Sequence, residues 1–331
     1  MHKAQRRIML PAFSPARVAE MRGAFESKAR QLVEMIPKGE PVDLLQYLTY
    51  LTVDAIGIVA FGFDFDTLRD PTNKLYEDYR KLFESTGLSV RNVLNLFVPG
   101  MRLLPDANLA MRNESRTRLR AVVGEMVDKR KADSGGHTDL LSRLMDAGLD
   151  GEELIDQGLT FLSAGQETTA TQLSWTLYLM LKNGEAVLAR ARDDSEYLDA
   201  CIKESLRLYP AAPLLSRQAK QDSSPGGIFV PKGTVVMYSP MLLGEKIGGR
   251  EFKPERWLDA DKGKHDAYMP FYFGNHACIG QRLAQEEMRV VLDVLLQSLD
   301  FQPVPGMEEA VPRLKTTMRA KDGIWASVER R

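Results

Sequence analysis

The residues of this chain best suited to chemistry sit in the stretch FYFGNHACIG, residues 271–280. It contains Cys278, one of only two cysteines in 331 residues, so its placement asks for a reason. Glycines flank it in a turn that runs directly into the helical pattern GQRLAQEEMRVVLDVLLQSL. A helix N-terminus favours an anion, so the position favours a thiolate over a thiol. Gly274 and Gly280 let the backbone turn sharply and pass close to a bulky flat partner. A thiolate held this way suits metal ligation. The same cysteine also reads as a small buried residue, as most free cysteines are.

A second group lies in AGQETT, residues 164–169, inside an apolar helical pattern. Gly165 has no side chain, which leaves room for a flat group against the helix. Thr168 can bond back to the preceding turn or offer its hydroxyl to a ligand. Glu167 is an acid in an apolar span, and a buried carboxylate needs a partner or a task. A kink with a solvated polar face accounts for the same residues. In ESLR, Glu204 and Arg207 are three apart and share a helix face, so they can pair. Alone, such a pair reads as a surface salt bridge of little energetic weight. Arg256, in FKPERW, is a candidate third member.

The elements that must position these groups are mostly helices. PARVAEMRGAFESKARQLVEMI, after Pro15, spaces its apolar residues by three and four. VDLLQYLTYLTVDAIGIVAFGF is apolar on most faces and predicts a buried helix ending near Gly62. NLAMRNESRTRLRAVVGEMVDKRKA predicts a long surface helix ending before Gly135-Gly136. GLSVRNVLNLFVPGMRLLP, residues 87–105, predicts a loop region packed on apolar surface. DGEELIDQGLTFLSAGQETTATQLSWTLYLMLKNG predicts one very long helix whose acidic start suits the helix dipole. SEYLDACIKESLRLYP is a helix stopped by Pro210, and GGIFVPKGTVVMYSP carries strand and turn signals. The fold class is mainly α with a small β component.

Composition narrows the function classes. Hydrophobic residues make up 44% and charged residues 27%, as in ordinary globular chains. A net charge of −1 gives no reason to expect a nucleic-acid partner. Two cysteines exclude a disulfide framework and, by themselves, a CxxC-type zinc site. No apolar run reads as a bilayer span and no secretory signal is visible, so Asn113-Glu114-Ser115 reads as a chance sequon.

Together these motifs identify a resemblance. Phe271, Gly274, His276, Cys278 and Gly280 resemble the heme-binding signature F-x-x-G-x-R-x-C-x-G of the cytochromes P-450. AGQETT looks like that family's oxygen-binding motif A/G-G-x-D/E-T-T, ESLR like its E-x-x-R, and PERW like its P-E-R-F. All four occur in the family's order over essentially the whole chain, closest to fungal members, many of which serve secondary metabolism. The resemblance implies a cytochrome P-450 fold and a heme cofactor, with Cys278 as the thiolate ligand of the iron, a ligand that favours oxygen–oxygen bond cleavage. Thr168 and Glu167 would be the acid–alcohol pair that hands protons to dioxygen, and Ala164 and Gly165 would leave room for the oxygen. Glu204, Arg207 and Arg256 would form a buried structural network. Arg217 looks like an arginine that meets a heme propionate. His2 and Arg6 resemble the family's W-x-x-x-R pair, with His in place of Trp. His276 stands where the family usually has Arg and can still donate to a propionate, with a pH-dependent charge. Phe161, Leu162, Ala212, Pro213, Leu214 and Leu215 would face a lipophilic substrate.

The resemblance also implies activity and partners: monooxygenation of a small lipophilic substrate by dioxygen, with electrons from an NADPH-cytochrome reductase. Arg282, near the cysteine, is compatible with reductase docking and equally with a solvated surface. Residues 1–331 read as a single domain of this family that lacks its N-terminal part. Full-length relatives are anchored in the endoplasmic reticulum membrane. The segment from Leu181 to Glu196 and the segment MLLGEKIGGREF are shorter than the family's. Two alternatives follow: an inactive or fragmentary heme-binding remnant, and a relative that rearranges or dehydrates without dioxygen. The Glu167–Thr168 pair argues against the second of these.

Overall fold

The computed structural model describes residues 2–83, 107–133, 139–259, 266–307 and 309–331. The apolar segment 87–105 lies outside the described residues. Eleven α-helices and seven short strands are formed among the described residues.

Helix α1 (His2–Met9) leads through a 3-10 turn (Leu10–Phe13) into α2 (Pro15–Met35). Proline at the first turn of α2 leaves no helical hydrogen bond unmade. Val18, Met21, Phe25, Ala29 and Leu32 recur at helical spacing and form its buried stripe. Strand β1 (Pro41–Asp43) delivers Asp43 as the N-cap of α3 (Leu44–Phe61). The Asp43 carboxylate accepts from Leu45 N–H at 3.0 Å, which satisfies one otherwise orphaned donor. Gly62 ends α3 at φ 63°, a left-handed cap that glycine adopts without strain. By length and mean hydropathy, α3 could cross a bilayer, contrary to the sequence reading; 83% of it is buried inside the fold, where it acts as a core helix.

Helices α4 (Lys74–Phe83), α5 (Ala107–Ala132) and α6 (Leu140–Asp146) follow. On α5 a single stripe of Leu119, Val123 and Val127 is buried, so the helix lies on the surface as its charges predict. The long helix α7 (Gly151–Lys182) is unbroken through AGQETT. Its length, about 48 Å at helical rise, carries it through the core, packed against α3, α5 and three later helices. Helix α8 (Glu185–Asp193) and α9 (Ser195–Leu208) come next; α8 fills the segment that sequence analysis finds short. Trp175 of α7 stacks on Tyr209 at 4.3 Å and 10°.

Strand β2 (Leu215–Gln218) pairs antiparallel with β3 (Val235–Tyr238). Helix α10 (Pro240–Gly248) precedes the PERW turn. Helix α11 (Gln281–Ser298) starts after Cys278 and packs on α2 and α7. Strand β4 (Leu299–Pro303) joins a three-stranded sheet with β1 and β7 (Trp325–Arg330), with β7 in the centre. Strands β5 (Pro312–Leu314) and β6 (Met318–Ala320) form a separate hairpin.

Glu204 and Arg207 are fully buried, not a surface pair. The Glu204 carboxylate accepts from Arg207 twice at 2.8 Å, from Arg256 Nε at 2.9 Å, from Lys253 N–H at 2.9 Å and from Trp257 Nε1 at 2.8 Å. Arg207 also donates to the carbonyls of Gly244, Gly249 and Glu251. Burial alone would raise the Glu204 carboxyl, but these donors outweigh it and hold it below the usual range. A depressed carboxyl stabilises the fold above its unfolded value, and that contribution is lost as the pH falls. Removing one partner strands a buried charge, which costs about 3–5 kcal/mol. Urea unfolding of Glu204→Gln is expected to show a loss of that size, much larger than for the exposed pair Arg17–Glu20.

Candidate functional site

A cavity of about 290 Å³ opens between α7, the loop that carries Cys278, and α11. Ala164, Gly165 and Thr168 of α7 line one wall; Phe271, His276, Cys278 and Gly280 line the facing wall. The structure thus brings together these seven residues of the two quoted motifs. The walls between them are apolar: Phe13, Ile56, Phe161, Leu206, Leu215 and Leu283.

The cysteine loop is built by local backbone chemistry. Cys278 N–H donates to the Phe271 carbonyl at 2.8 Å, closing the loop. Gly274 takes φ 67°, a turn requirement; it does not line the cavity. Tyr272 takes φ 65° without being glycine, a conformation that costs about 1–2 kcal/mol. Its ring is held by Tyr238 at 5.0 Å, by Phe273 at 4.7 Å and by the Arg217 guanidinium at 4.4 Å.

Cys278 is exposed, opening onto the cavity. Protein surrounds it closely enough that burial pushes its thiol up; Gly280 N–H and the positive charge of Arg6 pull the other way and do not win. This corrects the expectation of a thiolate from helix position alone: the helix start supplies one N–H, and desolvation of the charge is larger. Cys201, in contrast, is fully buried in α9 and is the ordinary apolar cysteine of the pair.

Other candidates lie elsewhere than expected. Glu167 is buried but does not line the cavity; it turns toward the β5–β6 hairpin, where Thr317 Oγ1 donates to it at 3.0 Å. Arg217 also stays out of the cavity lining: it is exposed, donates to its neighbour Ser216, and stacks on Tyr272. Arg6 donates to the Ala277 carbonyl at 2.6 Å, tying α1 to the cysteine loop. The His2 side chain lies outside the described residues. Gly165 lines the cavity, but an added Cβ there would meet Ile56 Cδ1 at 2.8 Å, so packing of α7 on α3 is what requires the glycine. Phe161, Ala212 and Leu215 line the cavity; Leu162 and Pro213 are buried elsewhere and Leu214 is exposed.

Among the lining residues that sequence analysis did not single out, two are polar side chains with their own hydrogen-bonding demands, Gln172 and Glu287. Gln172 lies one turn beyond Thr168. Glu287 of α11 is buried, and its Oε1 has no hydrogen-bond partner among the described residues. A signal existed: Glu287 stands in the apolar repeat Leu283, Val290, Val291, Val294.

Among the described residues, no group of three or more His, Cys, Asp or Glu could hold a metal ion. Cys278 is therefore a lone soft donor facing an apolar slot. That donor set fits a metal that arrives in its own macrocycle and takes one axial protein ligand.

Comparison with known proteins agrees. The chain matches the Cytochrome P450 family over residues 1–324. It is 28% identical to Cytochrome P450 monooxygenase sphH of Aspergillus fumigatus, over 98% of this chain and 70% of that protein. It is 30% identical to cyclooctat-9-en-7-ol 5-monooxygenase of Streptomyces melanosporofaciens, over 92% of this chain and 72% of that protein. Cytochrome P450 3A31 of Mesocricetus auratus is 30% identical, over 91% and 68%. The match to the Aspergillus protein runs over 382 residues, more than this chain contains, so that relative has residues inside the matched region that this chain lacks. The mainly helical fold with small sheets, the cavity and these matches place the chain in the cytochrome P450 family, whose cofactor is heme. It is an oxidoreductase by family, of the monooxygenase kind.

Burial pushes the Glu287 carboxyl up to about 8 from 4.5. The folded chain then holds a proton that the unfolded chain releases, so its contribution to stability is full below about 4.5 and is lost as pH rises through about 8. Thermal unfolding between those values is expected to fall with pH more steeply in the native chain than in Glu287→Gln. Equal slopes would show that Glu287 is ionised in the fold.

Proposed function

We propose that the chain is a heme-thiolate monooxygenase acting as one domain over residues 1–331. It would insert one oxygen atom of dioxygen into a small lipophilic substrate, with electrons from an NADPH-dependent flavoprotein reductase. The observation that carries this reading is the Cys278 thiol facing Thr168, Ala164 and Gly165 across an apolar cavity.

Heme bound in this cavity would supply the oxygen-activating iron. The chain's own residues do the rest. Cys278 would ligate the metal; the cation favours the thiolate that the apolar slot by itself disfavours. Phe271, Gly280 and Ala284 wall the slot on the cysteine side. His276, exposed at its rim, can donate to a propionate. Arg6, held on the Ala277 carbonyl, keeps positive charge beside the thiol. Ala164 and Gly165 keep the α7 wall low, and the Thr168 hydroxyl, which donates to Ala164 at 2.7 Å, can turn its proton into the cavity. Glu167 would renew that proton. Phe161, Ala212 and Leu215 offer a greasy surface that excludes water and suits an apolar substrate.

One observation favours a second reading, a heme-binding remnant without turnover. The β2–β3 sheet leaves Val235, Val236 and Met237 exposed, beside Ile228 and Phe229 at 71% and 65%. Apolar surface of this kind marks an interface or a weakness of the fold.

The reduced, carbon-monoxide-treated spectrum of the heme-supplemented chain separates the readings. A strongly red-shifted Soret band is expected for the native chain and its loss for Cys278→Ser. Thr168→Val is expected to keep the band while product per dioxygen falls. A native chain with no such band would leave the remnant reading.

A further inference from the structure

The cysteine loop hangs on one strained residue. Tyr272 takes φ 65°, a region that a bulky side chain seldom enters. It follows Phe271, whose carbonyl accepts the Cys278 N–H at 2.8 Å, and its own N–H donates to the Met269 carbonyl at 3.1 Å. Both bonds are made by the one peptide unit that joins Phe271 to Tyr272. Because that unit is planar, the φ of Tyr272 sets the direction in which residues 273–278 leave it. The same torsion therefore decides whether Cys278 returns to the Phe271 carbonyl.

A glycine would take φ 65° without a Cβ penalty. A tyrosine takes it only where its ring gains contacts that exceed the cost. The Arg217 guanidinium lies over the Tyr272 ring, 4.4 Å from its centroid, with Phe273 at 4.7 Å and Tyr238 at 5.0 Å. Arg217 and Tyr238 belong to β2 and β3, so the grip comes from a separate sheet. A cation within about 6 Å of a ring face is attracted by its π electrons. Arg217 is exposed and also donates to the Ser216 carbonyl at 2.7 Å, a second hold on the guanidinium. Leu215 of β2 lines the same cavity as Tyr272.

We infer that Arg217 is a positioning residue for Cys278: from β2 it grips the Tyr272 ring, holds that residue at positive φ, and so closes the loop that presents the cysteine. The task needs no contact between Arg217 and heme. Only the use of that closure in heme ligation rests on the monooxygenase reading above.

Hydrogen exchange of the Cys278 amide in the full chain, with and without heme, reads the closing bond directly. Tyr272→Phe keeps the ring and is expected to exchange as the native chain does. Arg217→Met is expected to exchange several-fold faster, and Arg217→Lys, which returns a cation to the ring, to recover part of the difference. Tyr272→Ala keeps the Cβ penalty without the ring and is expected to exchange faster than Tyr272→Gly, which is free of that penalty. Arg217→Met added to Tyr272→Ala is expected to change nothing further, because the ring through which Arg217 acts is gone. The amide of Cys201, fully buried in α9, is expected to keep its native rate, as a local opening requires. In the heme-loaded chain, Arg217→Met and Tyr272→Ala are expected to lower the fraction of reduced, carbon-monoxide-treated heme that shows the strongly red-shifted band. Native exchange at Cys278 in Arg217→Met overturns the assignment. So does an effect of Arg217→Met that persists undiminished in the Tyr272→Ala chain. Faster exchange at both cysteine amides would mean that Arg217 supports the fold as a whole, and it too overturns the assignment. A native chain without the red-shifted band sinks the monooxygenase reading and leaves the exchange rates to decide the role of Arg217.

Discussion

The site depends on one buried carboxylate. Glu204 sits in α9, far in sequence from the cysteine, and gathers donors from Arg207, Lys253, Arg256 and Trp257. Arg207 in turn binds three carbonyls from α10 and the strand-less segment after it. An added Cβ at Gly244 would meet the Arg207 carbonyl at 2.5 Å, so the approach of α10 to α9 is as close as backbones permit. Trp257 then packs on Tyr268 at 4.6 Å, which leads the chain into the cysteine loop. A buried ion pair is weak evidence for net stability. What it does here is directional: its donors and acceptors tie α9, α10 and the segment that leads toward Cys278 to one another.

Helix α7 is the second organising element, and its two faces do different work. One face closes the cavity with Ala164, Gly165, Thr168 and Gln172. Another carries Glu167, Thr171 and Trp175 to the β5–β6 hairpin. The helix tolerates hydroxyls that find an acceptor within it. Thr168, Ser174 and Thr176 each donate to the carbonyl four residues back, so their polar groups are satisfied within the helix.

The electrostatics of the cavity follow from its walls. Burial raises both Cys278 and Glu287, because a slot lined by Phe, Leu and Ile offers an anion little solvation. The two groups differ in their supply of positive charge. Cys278 has Arg6 and the Gly280 N–H beside it, and a metal cation would complete the balance. Among the described residues Glu287 has neither, and it holds its proton into the mildly alkaline range.

The sequence by itself determined the helices α2, α3, α7, α9 and α11, because apolar spacing, capping residues and proline or glycine stops act within a few residues of where they are written. It also determined the makeup of the cysteine turn, since Cys278, its glycines and the following helix lie within one short stretch; the protonation of the thiol it left to the walls that bury it. The tertiary structure decided which way the polar groups face. Glu167 meets Thr317 across 150 residues of chain, Arg6 meets Ala277 across 271, and Trp257 meets Glu204 across 53. Arg217 goes to the Tyr272 ring, and Glu287 Oε1 finds no hydrogen-bond partner among the described residues, for the same reason. Local periodicity places a residue on a helix face; only the packing of distant elements says whether that face meets a cavity, a hairpin or water, and so whether its charge is matched.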